Sequence, residues 1–129
     1  MEAKRTYVGH CHCGAVRFQF TSQPISTGCT CNCSICIRTG GIWSTSYYTP
    51  DEVELVSGHE SLGSYMFGDR DVDHLFCKTC GVSPFNVIAG VPADYAGPAR
   101  PGDYRVNLGC VDELVHEALE VSRIDGRSF

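Results

Sequence analysis

Apolar and polar residues alternate along several short stretches of the chain, and Gly or Pro separates most of these stretches. The clearest case lies between residues 16 and 20, where Val16, Phe18 and Phe20 alternate with two polar residues. A period of two is typical of a strand with one buried face. Similar stretches, rich in β-branched and aromatic residues, predict further strands at 25–31, 42–48, 53–56, 61–67, 74–76, 83–87 and 104–108.

Little of the remaining chain predicts helix. Residues 89–102 are too rich in Pro and Gly for a regular element, so they predict a loop. Residues 112–118 have a weak apolar face and predict a short helix, and a shorter helical turn is expected after Cys33. The 129 residues match the length of one domain, and no repeat or linker divides them. We therefore expect a single, mainly β domain over residues 1–129, built of many short strands.

Charge and cysteine content narrow the class of protein. The net charge is −5 and the ten Lys and Arg are scattered, so the basic stripe expected of a nucleic-acid-binding surface is missing. The first residues lack the apolar segment of a signal peptide, and no apolar run approaches a membrane span, which predicts a cytoplasmic protein without a membrane partner. Nine cysteines in a reducing compartment favour metal binding over disulfides.

The first cysteine group combines a CxC pair, Cys11 and Cys13, with a CxxC pair, Cys77 and Cys80. In extended conformation a CxC pair places both sulfurs on one face, since side chains alternate along a strand. A CxxC turn followed by Gly81 forms a knuckle that directs both sulfurs at one point. Together the pairs predict a closed, structural four-sulfur zinc site. The alternative, a redox dithiol at CxxC, lacks the thioredoxin-like βαβ pattern around it.

The second group, Cys31, Cys33 and Cys36, has C-x-C-x-x-C spacing. Three sulfurs can bind one zinc ion and leave a fourth position for water or substrate, as in catalytic sites. A fourth protein ligand would close the site. Cys29 is the first candidate, because residues 29, 31 and 33 would share one face of an extended strand. Weaker candidates for this fourth ligand are His10, His12, Asp73 and His74. The spacing leaves the open and the closed site as alternatives.

Four segments carry a resemblance to a known family: GHCHCGAVRFQF, CNCSICIRTGG, FCKTCG and VNLGCVDE. In this order they resemble the glutathione-dependent formaldehyde-activating enzyme family, which also includes centromere protein V. The resemblance extends over residues 9–113 and implies a β-tent, a zinc-stabilised fold of short antiparallel strands. It also implies two zinc ions per chain, a structural one on Cys11, Cys13, Cys77 and Cys80, and a catalytic one on Cys31, Cys33 and Cys36.

The activity that the resemblance implies is carbon–sulfur chemistry. A thiol such as glutathione, held by the second zinc as its thiolate, would add to formaldehyde or another small aldehyde, and the reverse step would be a lyase reaction. Arg38, which follows the second group as in the family, is the candidate contact for a carboxylate of the thiol, or else a solvated surface residue. Trp43, Tyr47 and Tyr48 are expected to pack in the core or to line a pocket.

The sequence also departs from the family pattern. Asn32 stands where the family often has His, and Cys29 and Cys110 are additional thiols. The family does not ordinarily have a ligand at the position of Cys29, which favours an open second site, and a lone Cys110 among apolar residues is typical of a buried small side chain. A closed second site would favour a non-enzymatic protein-interaction module, with residues 89–102 as its presented loop. A thiol-based sensor, in which Cys29 and Cys36 are oxidised, is the third alternative.

Overall fold

The computed structural model describes residues 3–128, and within that range the chain forms nine short strands and one four-residue helix, α1 (Cys36–Thr39). The strands are β1 Arg5–His10, β2 Arg17–Ser22, β3 Thr27–Cys31, β4 Val53–Ser57, β5 Leu62–Tyr65, β6 Val72–Cys77, β7 Phe85–Ile88, β8 Tyr104–Val106 and β9 Glu120–Ile124. No helix of the described residues is long and apolar enough to cross a membrane. The prediction of a mainly β protein with little helix is confirmed, including the helical turn after Cys33.

The strands form three small sheets. One has the order β1-β2-β4, one has the order β5-β6-β7-β8, and both are antiparallel. The third is the pair β3-β9, which is parallel and sets Cys31 opposite Ile124. This pair departs from the expected antiparallel arrangement. A parallel pair needs a long crossover, and here most of the chain lies between the two strands.

The core lies between these sheets and is largely aromatic. Phe18 and Phe20 of β2 are buried, and the Phe18 ring meets the Phe85 ring edge-on at a centroid distance of 5.2 Å. Opposite Phe18 in β1 stands Gly9, where a Cβ would lie only 2.4 Å from the Phe18 ring. Glycine therefore allows the ring to lie flat across β1. The same glycine interrupts the apolar alternation of β1, which the sequence pattern did not predict.

The predicted strand at 42–48 is wrong. Trp43 and Tyr48 are both buried, but each forms only isolated bridges, Trp43 to Cys29 and to a second residue, and Tyr48 to Tyr104. Between them the backbone turns, because the Ser44 hydroxyl donates to the carbonyl of Ser46 and accepts the backbone N–H of Val106. The aromatic and β-branched residues of this segment thus indicate burial rather than a strand paired along its length.

The predicted helix at 112–118 is also wrong, since only a 3-10 turn forms there, at His116–Ala118. Val115, which the helix would have used in its apolar face, is 63% exposed. A seven-residue helix gains little from propensity alone and depends on burial of such a face. Strand β9 follows directly, and its exposed residues Glu120–Arg123 gave no buried-strand pattern to predict it.

Candidate metal centres

The four-cysteine group joins the end of β1 to the end of β6. Cys11 follows β1, and its backbone N–H donates to Val16 across the tight turn that contains Cys13. This turn differs from the predicted extended CxC, because Cys13 is on a reversing rather than an extended segment. Cys77 ends β6, and the CxxC turn closes with a hydrogen bond from Gly81 N–H to the Cys77 carbonyl at 2.8 Å. The left-handed φ of +81° at Gly81 suits glycine.

The four sulfurs converge at spacings that a metal ion requires. All of them lie within 4.8 Å of one another, and Cys13 Sγ is 3.7 Å from both Cys11 Sγ and Cys77 Sγ. Zn–S bonds of about 2.3 Å in a tetrahedron set sulfurs roughly 3.8 Å apart. Cys11 and Cys77 are fully buried, and the Val16 N–H donates to Cys11 Sγ at 3.3 Å. The donor set and its dimensions therefore fit a tetrahedral ion.

Two of these thiols, Cys80 and Cys13, differ strongly in pKa. Hydrogen bonds from the backbone N–H groups of Cys13 and Val82 lower the pKa of Cys80 to about 6. The backbone N–H of Ala15 favours the Cys13 thiolate, but desolvation and the adjacent sulfurs, Cys77 first, outweigh it and raise the pKa of Cys13 to about 11. Sulfurs this close cannot all carry negative charge without compensation. A divalent cation supplies that compensation, and its binding would release the remaining protons.

The three-cysteine group lies where β3 leads into α1. Cys31 ends β3, Cys36 begins α1, and Cys33 stands in the turn between them, with its N–H 3.5 Å from Cys31 Sγ. The turn is closed by the hydrogen bond from the Ile37 N–H to the Cys33 carbonyl at 3.0 Å. All three sulfurs lie within 4.8 Å of one another and all three residues are half-buried. The geometry fits one metal ion that approaches from a partly solvent-accessible side.

The thiols of this group are also unequal. Burial opposes ionisation of Cys33, but the backbone N–H of Cys36 and the neighbouring thiols donate to its sulfur, so its pKa falls below the usual value. Burial first, and then the adjacent Cys33, raise the pKa of Cys36. Cys33 therefore ionises before Cys36, and a cation would have to displace the proton of Cys36.

The C-terminal turn covers one side of the three-cysteine group. A Cβ at Gly126 would lie 2.5 Å from Cys31 Sγ and 3.1 Å from the Cβ of Cys33. Asn32 fastens this turn, since its Nδ2 donates to Asp125 Oδ1 and its Oδ1 accepts the Arg127 N–H, both at 2.9 Å. No motif in the sequence indicated this contact, because it depends on the unpredicted strand β9.

The candidates for a fourth ligand have other contacts. Within residues 3–128 no further His, Cys, Asp or Glu joins the three sulfurs. Cys29 is buried in β3, where its thiol faces the carbonyls of Trp43 and Ser44 and receives a hydrogen bond from Arg105 Nη2. His10 contacts Asp112 at 2.7 Å, and Asp73 accepts from the Ser64 hydroxyl. His12 is exposed in the turn of the first group, and the His74 ring on β6 stacks on the Phe67 ring at a centroid distance of 5.6 Å.

Cys36 stands between two depressions in the surface. One contains Cys31 and Arg123 of β9, and the other contains His74 of β6 and Trp43. Arg38 lies in a third, beside the exposed rings of Tyr65 and Phe67, and its Nη1 donates to the Ser34 carbonyl at 2.8 Å. Arg123 was missed at the sequence level because nothing there distinguished it from a surface residue.

The remaining predicted residues divide between core and site. Tyr48 belongs to the hydrophobic core, whereas Tyr47 lies under the Arg105 guanidinium at 5.4 Å. Trp43 lines the depression beside Cys36, and its indole N–H is buried without a partner among the described residues. Cys110 is buried, as expected of a lone cysteine in apolar sequence, and burial raises the pKa of its thiol to about 12.

A mainly β chain with a four-sulfur and a three-sulfur group, both suited to metal ions, defines a class of small cysteine-rich β proteins with two candidate metal centres. The model of the family described as glutathione-dependent formaldehyde-activating enzyme matches residues 6–123, and the chain belongs to this family. The resemblance carried by the four sequence motifs is thereby confirmed, and the match extends into β9.

A solved structure is similar over nearly the whole chain. It is the crystal structure of a Rhodobacter sphaeroides protein, which is 27% identical in sequence and superposes with a TM-score of 0.71. The similarity covers 89% of this chain and 99% of that one. The two chains therefore share their fold over almost the whole length of the Rhodobacter sphaeroides protein.

Proposed function

We propose that this protein is a zinc-dependent enzyme of the carbon–sulfur lyase type, which joins a thiol such as glutathione to a small aldehyde such as formaldehyde and also catalyses the reverse step. The observation that carries the proposal is the group of Cys31, Cys33 and Cys36, with no fourth His, Cys, Asp or Glu beside it in the described chain. Three protein ligands with one position left for substrate are typical of a catalytic zinc site. Family membership supports the choice of thiol and aldehyde.

Two zinc ions per chain fit the two donor sets. Cys11, Cys13, Cys77 and Cys80 would hold the structural ion, which ties β1 to β6, and Cys31, Cys33 and Cys36 would hold the catalytic one. Zinc supplies one chemical contribution, which is to bring a bound thiol into its reactive thiolate form at neutral pH. A structural ion of this kind adds to the core of a single domain over residues 1–129.

The chain itself would orient the thiol. Glutathione carries two carboxylates, and two arginines flank the three-cysteine group: Arg123 in one depression with Cys31 and Cys36, and Arg38 in another. A guanidinium binds a carboxylate through two parallel hydrogen bonds. The protein has a net charge of −5, so such local cations are needed to bind an anionic peptide.

The interaction-module alternative receives less support from the geometry. It requires a second site closed by Cys29, whereas the Cys29 thiol points to Arg105 and to the carbonyls of Trp43 and Ser44. A cytoplasmic location suits the proposed reaction, because all nine cysteines are unpaired and reduced thiols persist there.

Replacing one cysteine of each kind tests the proposal. Cys33→Ser is expected to abolish the accelerated addition of glutathione to formaldehyde, measured by exchange NMR against the uncatalysed rate, while circular dichroism and the melting temperature show an intact fold. Cys110→Ala is the matched control, because that thiol is buried outside both groups. Unchanged acceleration in Cys33→Ser would contradict the three-cysteine mechanism.

A further inference from the structure

One cavity adjoins the three-cysteine group, and its walls are largely apolar. Formaldehyde does not require walls of this kind. The cavity has a volume of about 180 Å³ and lies between the α1 segment and the sheet β5-β6-β7-β8, with Cys36 in its wall. Most of its remaining wall is apolar or aromatic: Ile35, Trp43, Tyr65, Leu75 and Phe76. Small-molecule sites are typically lined in this way, with a few polar groups to orient the ligand.

The size of the cavity indicates its occupant. An engineered cavity of about 150 Å³ with apolar walls binds benzene, so the space beside Cys36 accommodates one benzene-sized group. Formaldehyde has two heavy atoms and no apolar substituent, and it would leave most of this space unfilled. Apolar walls contribute favourable binding free energy only when an apolar surface of the ligand covers them.

A polar side chain, Asn86, also lines this cavity. Asn86 of β7 is only 8% exposed, and the Ser83 hydroxyl, 3.5 Å from its Oδ1, is the one hydrogen-bond partner of its side chain within residues 3–128. Its amide is one of the polar groups in the wall of the cavity. The oxygen of an aldehyde accepts a hydrogen bond from an amide N–H.

We infer that this cavity holds the apolar substituent of the electrophile, so that the preferred substrate is an aldehyde with an aromatic or similarly bulky apolar group. The inference rests on the proposed function and names its substrate class. In the reaction the thiol loses its proton and its sulfur forms a bond to the carbonyl carbon. The π pair of the carbonyl moves to the oxygen, and this oxygen takes up the proton to become the hydroxyl of the adduct. Asn86 donates to that oxygen throughout.

The single tryptophan of the chain, Trp43, provides a test that does not depend on activity. Titration with 2-phenylethanol, the unreactive alcohol analogue of phenylacetaldehyde, is expected to shift the Trp43 fluorescence saturably, whereas ethanol has no effect. Thr39 is exposed and lines the cavity, so Thr39→Phe narrows it without a change in the core. This variant should weaken binding by about tenfold or more, in line with the discrimination that apolar pockets reach.

Thr39→Val is the matched control. Both variants lose the hydroxyl that donates to the carbonyls of Ile35 and Cys36, but only Thr39→Phe adds a ring. Equal binding by the two variants, or no fluorescence shift up to the solubility limit of 2-phenylethanol, would overturn the assignment of the cavity.

Turnover separates this inference from the proposed function. With glutathione as thiol, the acceleration over the uncatalysed rate should be about tenfold or more greater for phenylacetaldehyde than for formaldehyde. Acceleration with formaldehyde and no gain with phenylacetaldehyde would overturn the inference and leave the proposed function standing. Saturable binding of 2-phenylethanol without acceleration for either aldehyde would overturn the proposed function, and with it the aldehyde as ligand.

Discussion

A single methyl group at Gly126 tests whether the C-terminal turn lies against the second metal centre. A Cβ there would stand 2.5 Å from Cys31 Sγ, and 3.1 and 3.6 Å from the Cβ and N of Cys33. Non-bonded heavy atoms prefer separations of about 3.5–4.0 Å. The turn or the sulfur must therefore move by roughly 1 Å in Gly126→Ala. The φ of Gly126 is not left-handed, so the backbone itself accepts alanine.

The magnitude follows from the cost of overpacking. Extra methyl groups in a packed site cost about 1–3 kcal/mol, and each 1.4 kcal/mol is about tenfold in affinity. Because the strain falls on Cys31, we expect Gly126→Ala to lower the zinc affinity of the three-cysteine group by about tenfold. The three atoms nearest to that Cβ all belong to Cys31 and Cys33, so the four-cysteine group should keep its affinity.

Competition with a chromophoric chelator measures both affinities in one titration. In Gly126→Ala we expect an unchanged zinc affinity in the first step, at the four-cysteine group, and a lowered zinc affinity in the second step, at the three-cysteine group. Gly90→Ala serves as the control, because Gly90 also has an ordinary φ and a Cβ there would meet the Asp71 carboxylate at 3.3 Å rather than a cysteine. A second step identical in Gly126→Ala and Gly90→Ala would refute the position of the turn.

Two further outcomes follow from burial. Burial lowers the pKa of His74, so its NMR titration should have a midpoint below 6.5, and Asp73→Asn should lower it further by removing a charge that favours the imidazolium. The unfolded chain binds this proton more readily than the folded chain does. The stability due to neutral His74 is therefore present above pH 6.5 and is lost as the pH falls below 6.5. A titration midpoint above 6.5 would contradict this expectation. In thermal melts Cys77→Ala should lower the melting temperature more than Cys36→Ala, since Cys77 is fully buried and Cys36 only half-buried; the reverse order would contradict a structural role for the first group.

Cysteine spacing predicted the two groups well, because ligand geometry is local. A CxxC turn that closes on Gly81 brings its sulfurs together in almost any surroundings, and so does the turn from Cys31 to Cys36. The alternation of Val16, Phe18 and Phe20 likewise indicated a strand with one buried face, and the structure buries all three.

The features that the sequence did not predict depend on contacts between distant segments. Gly9 replaces an apolar residue in β1 because the Phe18 ring occupies the space, which no local pattern reveals. Strand β9 is exposed and pairs with β3 from the far end of the chain, so Arg123 and Gly126 reach the second group without any local signal. The cavity beside Cys36 is likewise assembled from segments that are separate in sequence.

Native mass spectrometry shows whether the three-cysteine zinc accepts an external thiol. The purified protein is measured without and with excess glutathione, beside Cys33→Ser. We expect two zinc ions and one added glutathione per wild-type chain, and no glutathione on Cys33→Ser. Two zinc ions and no glutathione at any concentration, in a wild-type chain that is folded, would contradict it.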